Sequence, residues 1–193
     1  MALYALHIKN MVCPRCIKVV GEELQRLNQP VAEVKLGEAL LSQEPSDKAR
    51  KEIKEALAAN GFEVLEDKKA EVIEQVKRAV IALIRTGQVE HLQTNISDYL
   101  SEVTGKEYTY LSSAFSTEEG TTIARFVMLQ KVERIKELVT YNELTLSQIA
   151  YQLGYSSVAH LSNQFKQVTG LTPSEYKKSA SHPRKPLDQV LDK

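Results

Sequence analysis

Two cysteines near the N-terminus, Cys13 and Cys16, are the only cysteines of the 193-residue chain. They follow a segment of alternating apolar and polar residues, which predicts a half-buried strand, and they begin a segment with helical apolar spacing. A strand, a short loop and a helix in this order place both sulfurs on the same side, and a helix N-terminus favours the thiolate. Two close thiolates suit Cu(I), or Zn(II) with added ligands.

A second chemically distinctive segment lies near the C-terminus. Thr145 and Gln148 form a capping-box pattern that begins a short helix. Gly154 supplies a tight turn, and Ser156 is the predicted N-cap of the next helix. The outer face of that helix carries hydroxyl, amide and methyl groups, which can meet base edges in the major groove of DNA. The pattern therefore predicts a helix-turn-helix.

Charge is distributed unevenly along the chain, although the formal net charge is zero. Residues 88–143 contain five Lys and Arg against nine Asp and Glu, whereas residues 144–185 contain five against one. Attraction for phosphate is expected mainly from the second of these segments. Two cysteines cannot form a disulfide framework, and we find no secretory signal or membrane span, so we expect a cytoplasmic protein with free thiols.

The alternation of strand and helix patterns divides the chain. Residues 1–68 read as β-α-β-β-α-β, the ferredoxin-like order, with Ser46 as the predicted N-cap of the second helix. Residues 69–180 contain only helical patterns, and residues 181–193 are expected to form a flexible tail. The fold class is therefore α+β, with a ferredoxin-like domain followed by an all-α domain that has two helix-turn-helix units.

The stretch 96–177 resembles the DNA-binding domain of the AraC/XylS family of bacterial transcription regulators. The resemblance is carried by residues 146–155, 161–166 and 169–176, with the glycine and the proline in place. It implies two helix-turn-helix units joined by one long helix, here residues 121–141. It also implies double-stranded DNA and RNA polymerase as partners, and activation is the usual mode of action in the family.

The resemblance assigns DNA-binding positions in both units. In the first unit they are Thr109, Ser112 and Ser113, and in the second they are Ser157, Val158, Ala159, Ser162 and Asn163, with Lys166 placed for phosphate. The first unit departs from the family pattern because it lacks an arginine at these positions and has Glu118 and Glu119 just after them. We expect this unit to read DNA weakly or only to support the second.

The N-terminal segment resembles the heavy-metal-associated domain of copper chaperones and metal-transport ATPases. Met11, Cys13 and Cys16 match its Gly-Met-x-Cys-x-x-Cys loop, and Asn10 stands in place of the glycine. Met11 is expected in the core, and Cys13 and Cys16 are the candidate ligands of Cu(I) or Zn(II). Three interpretations stay open: a metal site, a metal-free domain for dimerisation or partner binding, and a thiol–disulfide sensor.

These patterns together predict a sequence-specific transcription regulator that responds to metal through the cysteine pair. The alternative is a regulator whose N-terminal domain works without metal. We find no phosphate-binding loop, catalytic set or paired carboxylates, and therefore do not expect an enzyme. The sequence permits a homodimer without requiring one, because a single chain carries two reading units.

Overall fold

The computed structural model describes residues 3–92, 94–179 and 183–191. The chain divides into two compact units, Met1–Arg78 and Ala79–Lys193. The first unit contains a small antiparallel sheet and the second is helical, so the α+β class is confirmed. The sequence places the domain boundary at residues 68 and 69, where a helix begins, whereas the division between the units falls within that helix.

The first unit has six elements in the order β-α-β-β-α-β, followed by the helix that leads out of it. They are β1 (Tyr4–Lys9), α1 (Pro14–Arg26), β2 (Val31–Lys35), β3 (Glu38–Leu41), α2 (Asp47–Ala58), β4 (Glu63–Leu65) and α3 (Lys68–Arg85). The sheet order is β2-β3-β1-β4, and each neighbouring pair is antiparallel. The second strand in sequence is thus an edge strand, and β1 lies in the interior of the sheet.

One apolar cluster joins the sheet to α1 and α2. Alternation in β1 directs Leu6 and Ile8 inward. The helices contribute apolar side chains at helical spacing, namely Val20, Leu24, Ile53 and Leu57. Met11, which follows β1, is fully buried in the same cluster, as expected from the sequence. The core therefore lies directly beneath the loop that carries the cysteines.

The second unit begins within α3 and continues through a short 3-10 helix, Gln88–His91. Six helices follow: α4 (Ile96–Thr104), α5 (Tyr108–Glu119), α6 (Ile123–Tyr141), α7 (Leu146–Gln152), α8 (Val158–Thr169) and α9 (Pro173–Lys178). Of these, α6 is the longest, and it packs against α5, α7, α8 and α9. This is the long connecting helix that the sequence predicts.

The same helix ending, helix cap and aromatic contact occur twice in the second unit. Each of α5 and α8 ends at a glycine with positive φ, Gly120 at 63° and Gly170 at 80°. Both following helices are capped by a threonine hydroxyl and place an aromatic ring against the preceding helix. The paired rings are Phe115 with Phe126, at 5.6 Å between centroids, and Phe165 with Tyr176, at 5.5 Å. The repeat fixes α5 and α8 in the same way.

Helix α1 begins at Pro14 with Cys13 as N-cap, so the cysteine pair lies at the start of a helix, as predicted. One helix start differs from the sequence-based expectation. Helix α8 is capped by Ser157 rather than Ser156, since the Ser157 hydroxyl accepts the backbone N–H of His160 at 3.1 Å. Ser46 does cap α2 as expected.

Part of the segment expected to be a flexible tail, residues 181–193, packs on α6. Residues 181, 182, 192 and 193 lie outside the described residues. Within residues 183–191, the Leu187 carbonyl accepts a hydrogen bond of 2.7 Å from Gln130, and the Lys185 backbone N–H donates to Glu133 at 3.1 Å. Val190 is buried. These contacts satisfy polar groups of α6 that are themselves buried.

Candidate functional site

A capping box and a glycine turn, both predicted from the sequence, fix the start of α7 and the connection to α8. At the start of α7 the Thr145 hydroxyl accepts the Gln148 N–H at 3.3 Å, while the Gln148 amide oxygen accepts the Thr145 N–H at 2.9 Å. Between the helices, Gly154 has φ of +67°, a conformation that other residues rarely adopt. The turn therefore fixes the direction in which α8 leaves α7.

Helix α8 has one buried face and one exposed face. Leu161 and Phe165 are fully buried. Five side chains are exposed: Ala159, His160, Asn163, Lys166 and Gln167. The side chains of Asn163 and Gln167 make no hydrogen bond to another described residue. An amphipathic helix with free amide groups on its outer face has the chemistry needed to meet base edges.

The predicted positions of the second unit fall on and around this exposed face. Ala159, Asn163 and Lys166 are exposed, as is the N-cap Ser157. Val158 and Ser162 are half-buried at the margin of the face. The structure therefore brings these six positions together on one short helix and its cap.

The predicted positions of the first unit lie on α5. Thr109 and Ser113 are exposed and Ser112 is half-buried. The helix carries no Lys or Arg, and its last turn contains Glu118 and Glu119. A helix of this charge offers hydroxyl groups to base edges but no cation to phosphate.

The segment from α4 to α9 is similar to known proteins. Residues 100–179 match the family model described as a helix-turn-helix domain.

The chain contains a helix-turn-helix domain.

Proteins that are similar to this part of the chain are named as transcriptional regulators. The chain is 33% identical over 87 residues to an uncharacterized HTH-type transcriptional regulator of Staphylococcus aureus (strain MSSA476). That match covers 45% of this chain and only 12% of the relative. The chain is 29% identical over 103 residues to the probable transcriptional regulator LumQ of Photobacterium leiognathi, which covers 53% of this chain and 42% of LumQ. The chain thus spans less than half of either relative.

Among solved structures, the chain is similar to the C-terminal domain of AraT, a response regulator from Geobacillus stearothermophilus. The TM-score is 0.49 at 20% sequence identity, and the match covers 58% of this chain and 88% of that one.

Sequence reasoning did not single out the side chains that support α8 in the helix-turn-helix domain. Tyr155, in the turn, is buried, and its hydroxyl donates to the Gln164 amide oxygen at 2.6 Å. The Nζ atom of Lys131 lies 5.0 Å from the centre of the Tyr155 ring. Burial raises the pKa of Tyr155 and lowers the pKa of Lys131. The sequence signal was the aromatic residue directly after Gly154.

The second candidate site is the cysteine pair of the first unit. The Sγ atoms of Cys13 and Cys16 are 3.4 Å apart, and both cysteines are half-buried. The loop before them turns at Asn10, whose φ is 70°, the conformation for which glycine is the usual residue. His7 lies apart from the pair, with ring nitrogens 3.8 Å from Glu38 and 3.6 Å from Glu71.

The two thiols have different environments. Burial raises the pKa of Cys13, but hydrogen bonds from the backbone and thiol of Cys16, together with the backbone N–H and charge of Arg15, outweigh it, and the net shift is downward. Burial and the hydrogen bond to Cys13 both raise the pKa of Cys16. The pair therefore favours one thiolate, at Cys13, hydrogen-bonded to one thiol.

The donor set limits which metal the pair fits. The two sulfurs are 3.4 Å apart, close enough for both to contact one ion. Zn(II) requires four ligands, and the described residues contain no group of three or more His, Cys, Asp or Glu that could hold a metal. Cu(I) is a soft ion selected by thiolates, and the pair fits it better.

No helix among the described residues has the length and apolar character needed to cross a membrane.

Proposed function

We propose that this chain is a sequence-specific DNA-binding transcription regulator of the AraC type that acts on double-stranded DNA in the cytoplasm. The observation that carries the proposal is the outer face of α8, where Asn163 and Gln167 present free amides on a helix fixed from beneath by Phe165. Match to a helix-turn-helix family model and relatives named as transcriptional regulators support it. RNA polymerase is the partner that such a regulator would contact.

In this proposal α8 enters the major groove. Asn163 pairs with an adenine edge, Ala159 meets a thymine methyl, and Lys166 contacts a phosphate. Ser157, Val158 and Ser162 line the approach. On α5, Thr109, Ser112 and Ser113 make a weaker contact because no cation accompanies them.

Selection of duplexes from a random-sequence library by the full chain tests the proposal. We expect one sequence to be enriched and bound far more tightly than unselected DNA. Asn163→Ala is expected to weaken binding of the enriched duplex by about 1–3 kcal/mol, with relaxed preference at one position. Lys166→Ala is the matched control, because loss of a phosphate contact weakens binding of all duplexes evenly. Failure to enrich any sequence would overturn the proposal.

We further propose that the first unit is a ferredoxin-like domain of the heavy-metal-associated type, and that Cys13 and Cys16 hold Cu(I). The element order, the sheet order and the 3.4 Å separation of the sulfurs support this. Cys13 and Cys16 would both hold Cu(I) as thiolates, so the proton that remains on the free pair would leave when the ion binds. The metal-bound state would bind DNA with a different affinity.

Anaerobic titration of the reduced chain with Cu(I) tests the metal proposal, beside a Cys13→Ser/Cys16→Ser variant. We expect binding of one ion per chain in the wild type and its loss in the variant. Equal binding by both would overturn the proposal. If both are equal, the remaining interpretations are a metal-free domain for dimerisation or partner binding and a thiol redox sensor, and sedimentation and thiol counting after mild oxidation distinguish these.

A further inference from the structure

The His160 ring, on the exposed face of α8, is held in place from two sides. The Ser156 hydroxyl lies 3.2 Å from Nδ1 of His160. The ring of Tyr155 meets the imidazole edge-on, with centroids 5.2 Å apart and an interplanar angle of 87°. Tyr155 is itself fixed, since it is buried and bonded to Gln164. These two contacts restrict the orientation of the His160 ring, which is unusual for a side chain that only faces solvent.

The position of His160 places it in line with the other candidate reading residues. It is the third residue of α8, and Asn163 and Gln167 lie three and seven positions further along. Residues at these spacings share one face of a helix. Residues near the N-terminus of a recognition helix are those that contact base edges. His160 therefore lies on the same face of α8 as Asn163, near the helix end that would contact bases if α8 enters the groove as proposed.

We propose that His160 reads a guanine in the major groove by donating a hydrogen bond from Nε2. The assignment rests on the proposed function, in which α8 enters that groove. Where the Ser156 hydroxyl donates to Nδ1, the ring carries its proton on Nε2, which faces no partner in this hydrogen bond and can donate to a base edge. The guanine edge presents two acceptors there, N7 and O6. Because Ser156 and Tyr155 fix the ring beforehand, little side-chain freedom is lost on binding.

The test uses the duplex that the wild-type full chain enriches from a random library, together with His160→Ala and His160→Phe. The phenylalanine keeps a ring against Tyr155 but has no donor. We expect both variants to lose preference for guanine at one position and to bind the enriched duplex roughly 5- to 150-fold more weakly. Their affinity for a duplex altered at that position should match that of the wild type, with an unchanged salt dependence.

Three results would overturn the assignment. Retention of the guanine preference by His160→Phe would show that ring packing rather than hydrogen bonding is responsible. An even loss across all duplexes with a shallower salt dependence would show a phosphate contact. Unchanged preference in both variants would show no contact. In each case the proposed function stands, whereas a wild-type chain that enriches no sequence overturns both.

Discussion

Substitution of Gly154 by alanine tests how strictly the turn between α7 and α8 is determined. At this position φ is +67°, and an added Cβ would lie 2.9 Å from Cγ1 of Val89. Gly120, which ends α5, has nearly the same φ of +63°, but an added Cβ there meets nothing within 4 Å. The two glycines therefore share the backbone requirement and differ in the space around them.

The expected magnitudes follow from this difference. A left-handed conformation costs a residue with a Cβ about 1–2 kcal/mol, and this applies to both positions. The contact with Val89 adds an overpacking cost of about 1–3 kcal/mol at Gly154 alone. The branched Val89 side chain has few rotamers with which to relieve the contact. We therefore expect Gly120→Ala to lower the free energy of unfolding by about 1–2 kcal/mol and Gly154→Ala by about 2–5 kcal/mol.

Urea unfolding of the two full-length variants, followed by circular dichroism, measures the difference. Any effect of alanine on the unfolded chain is the same in both and cancels. The difference isolates the contact with Val89, and Val89→Ala combined with Gly154→Ala should remove it by a double-mutant cycle. Equal destabilisation of the two single variants would refute the steric part of the reasoning. A neutral Gly120→Ala would refute the backbone part.

Further predictions concern helix caps and packing. Thr145→Ala removes one half of a capping box and should lower the free energy of unfolding by about 1 kcal/mol in the same urea assay, with Thr145→Ser near wild type. Phe165→Ala removes a fully buried ring that packs on Tyr176 and should cost about 3–5 kcal/mol, whereas Phe165→Leu should recover much of it. The Glu175 carboxylate accepts hydrogen bonds from the backbone N–H and the hydroxyl of Thr172, which hold the pKa of Glu175 below its ordinary value of 4.5. The stabilisation by this carboxylate is therefore present above pH 4.5 and is lost as pH falls through the lowered pKa. The melting temperature of Glu175→Gln should depend less on pH below pH 4.5 than that of the wild type. An unchanged pH dependence would contradict this role of Glu175.

Local signals in the sequence were sufficient for most elements. Ser46 caps α2 and Thr145 begins a capping box because each requires only residues within one turn. The β-α-β-β-α-β order follows from periodicity, and the interior position of β1 agrees with its buried, alternating pattern. These features depend on contacts between near neighbours, which a single sequence displays.

Features that depend on competition or on distant contacts could not be predicted in the same way. Ser156 and Ser157 are adjacent and equally suited to cap α8, and the choice is settled by which backbone N–H each hydroxyl reaches. Val190 is buried, although most residues of its segment are polar and two prolines precede it. His160 is a polar residue on a polar face, and its contacts with Tyr155 and Ser156 distinguish it from solvated surface.

Helix α6 contributes to the core of the second unit along most of its length. This helix has buried side chains from Ile123 to Val139 and packs against α5, α7, α8 and α9. Opening any part of this core therefore removes packing from α6 itself. Amide hydrogens in the middle of α6 should therefore exchange with solvent deuterium with one common free energy of opening, that of global unfolding. In this respect α5 and α8 belong to one cooperative folding unit.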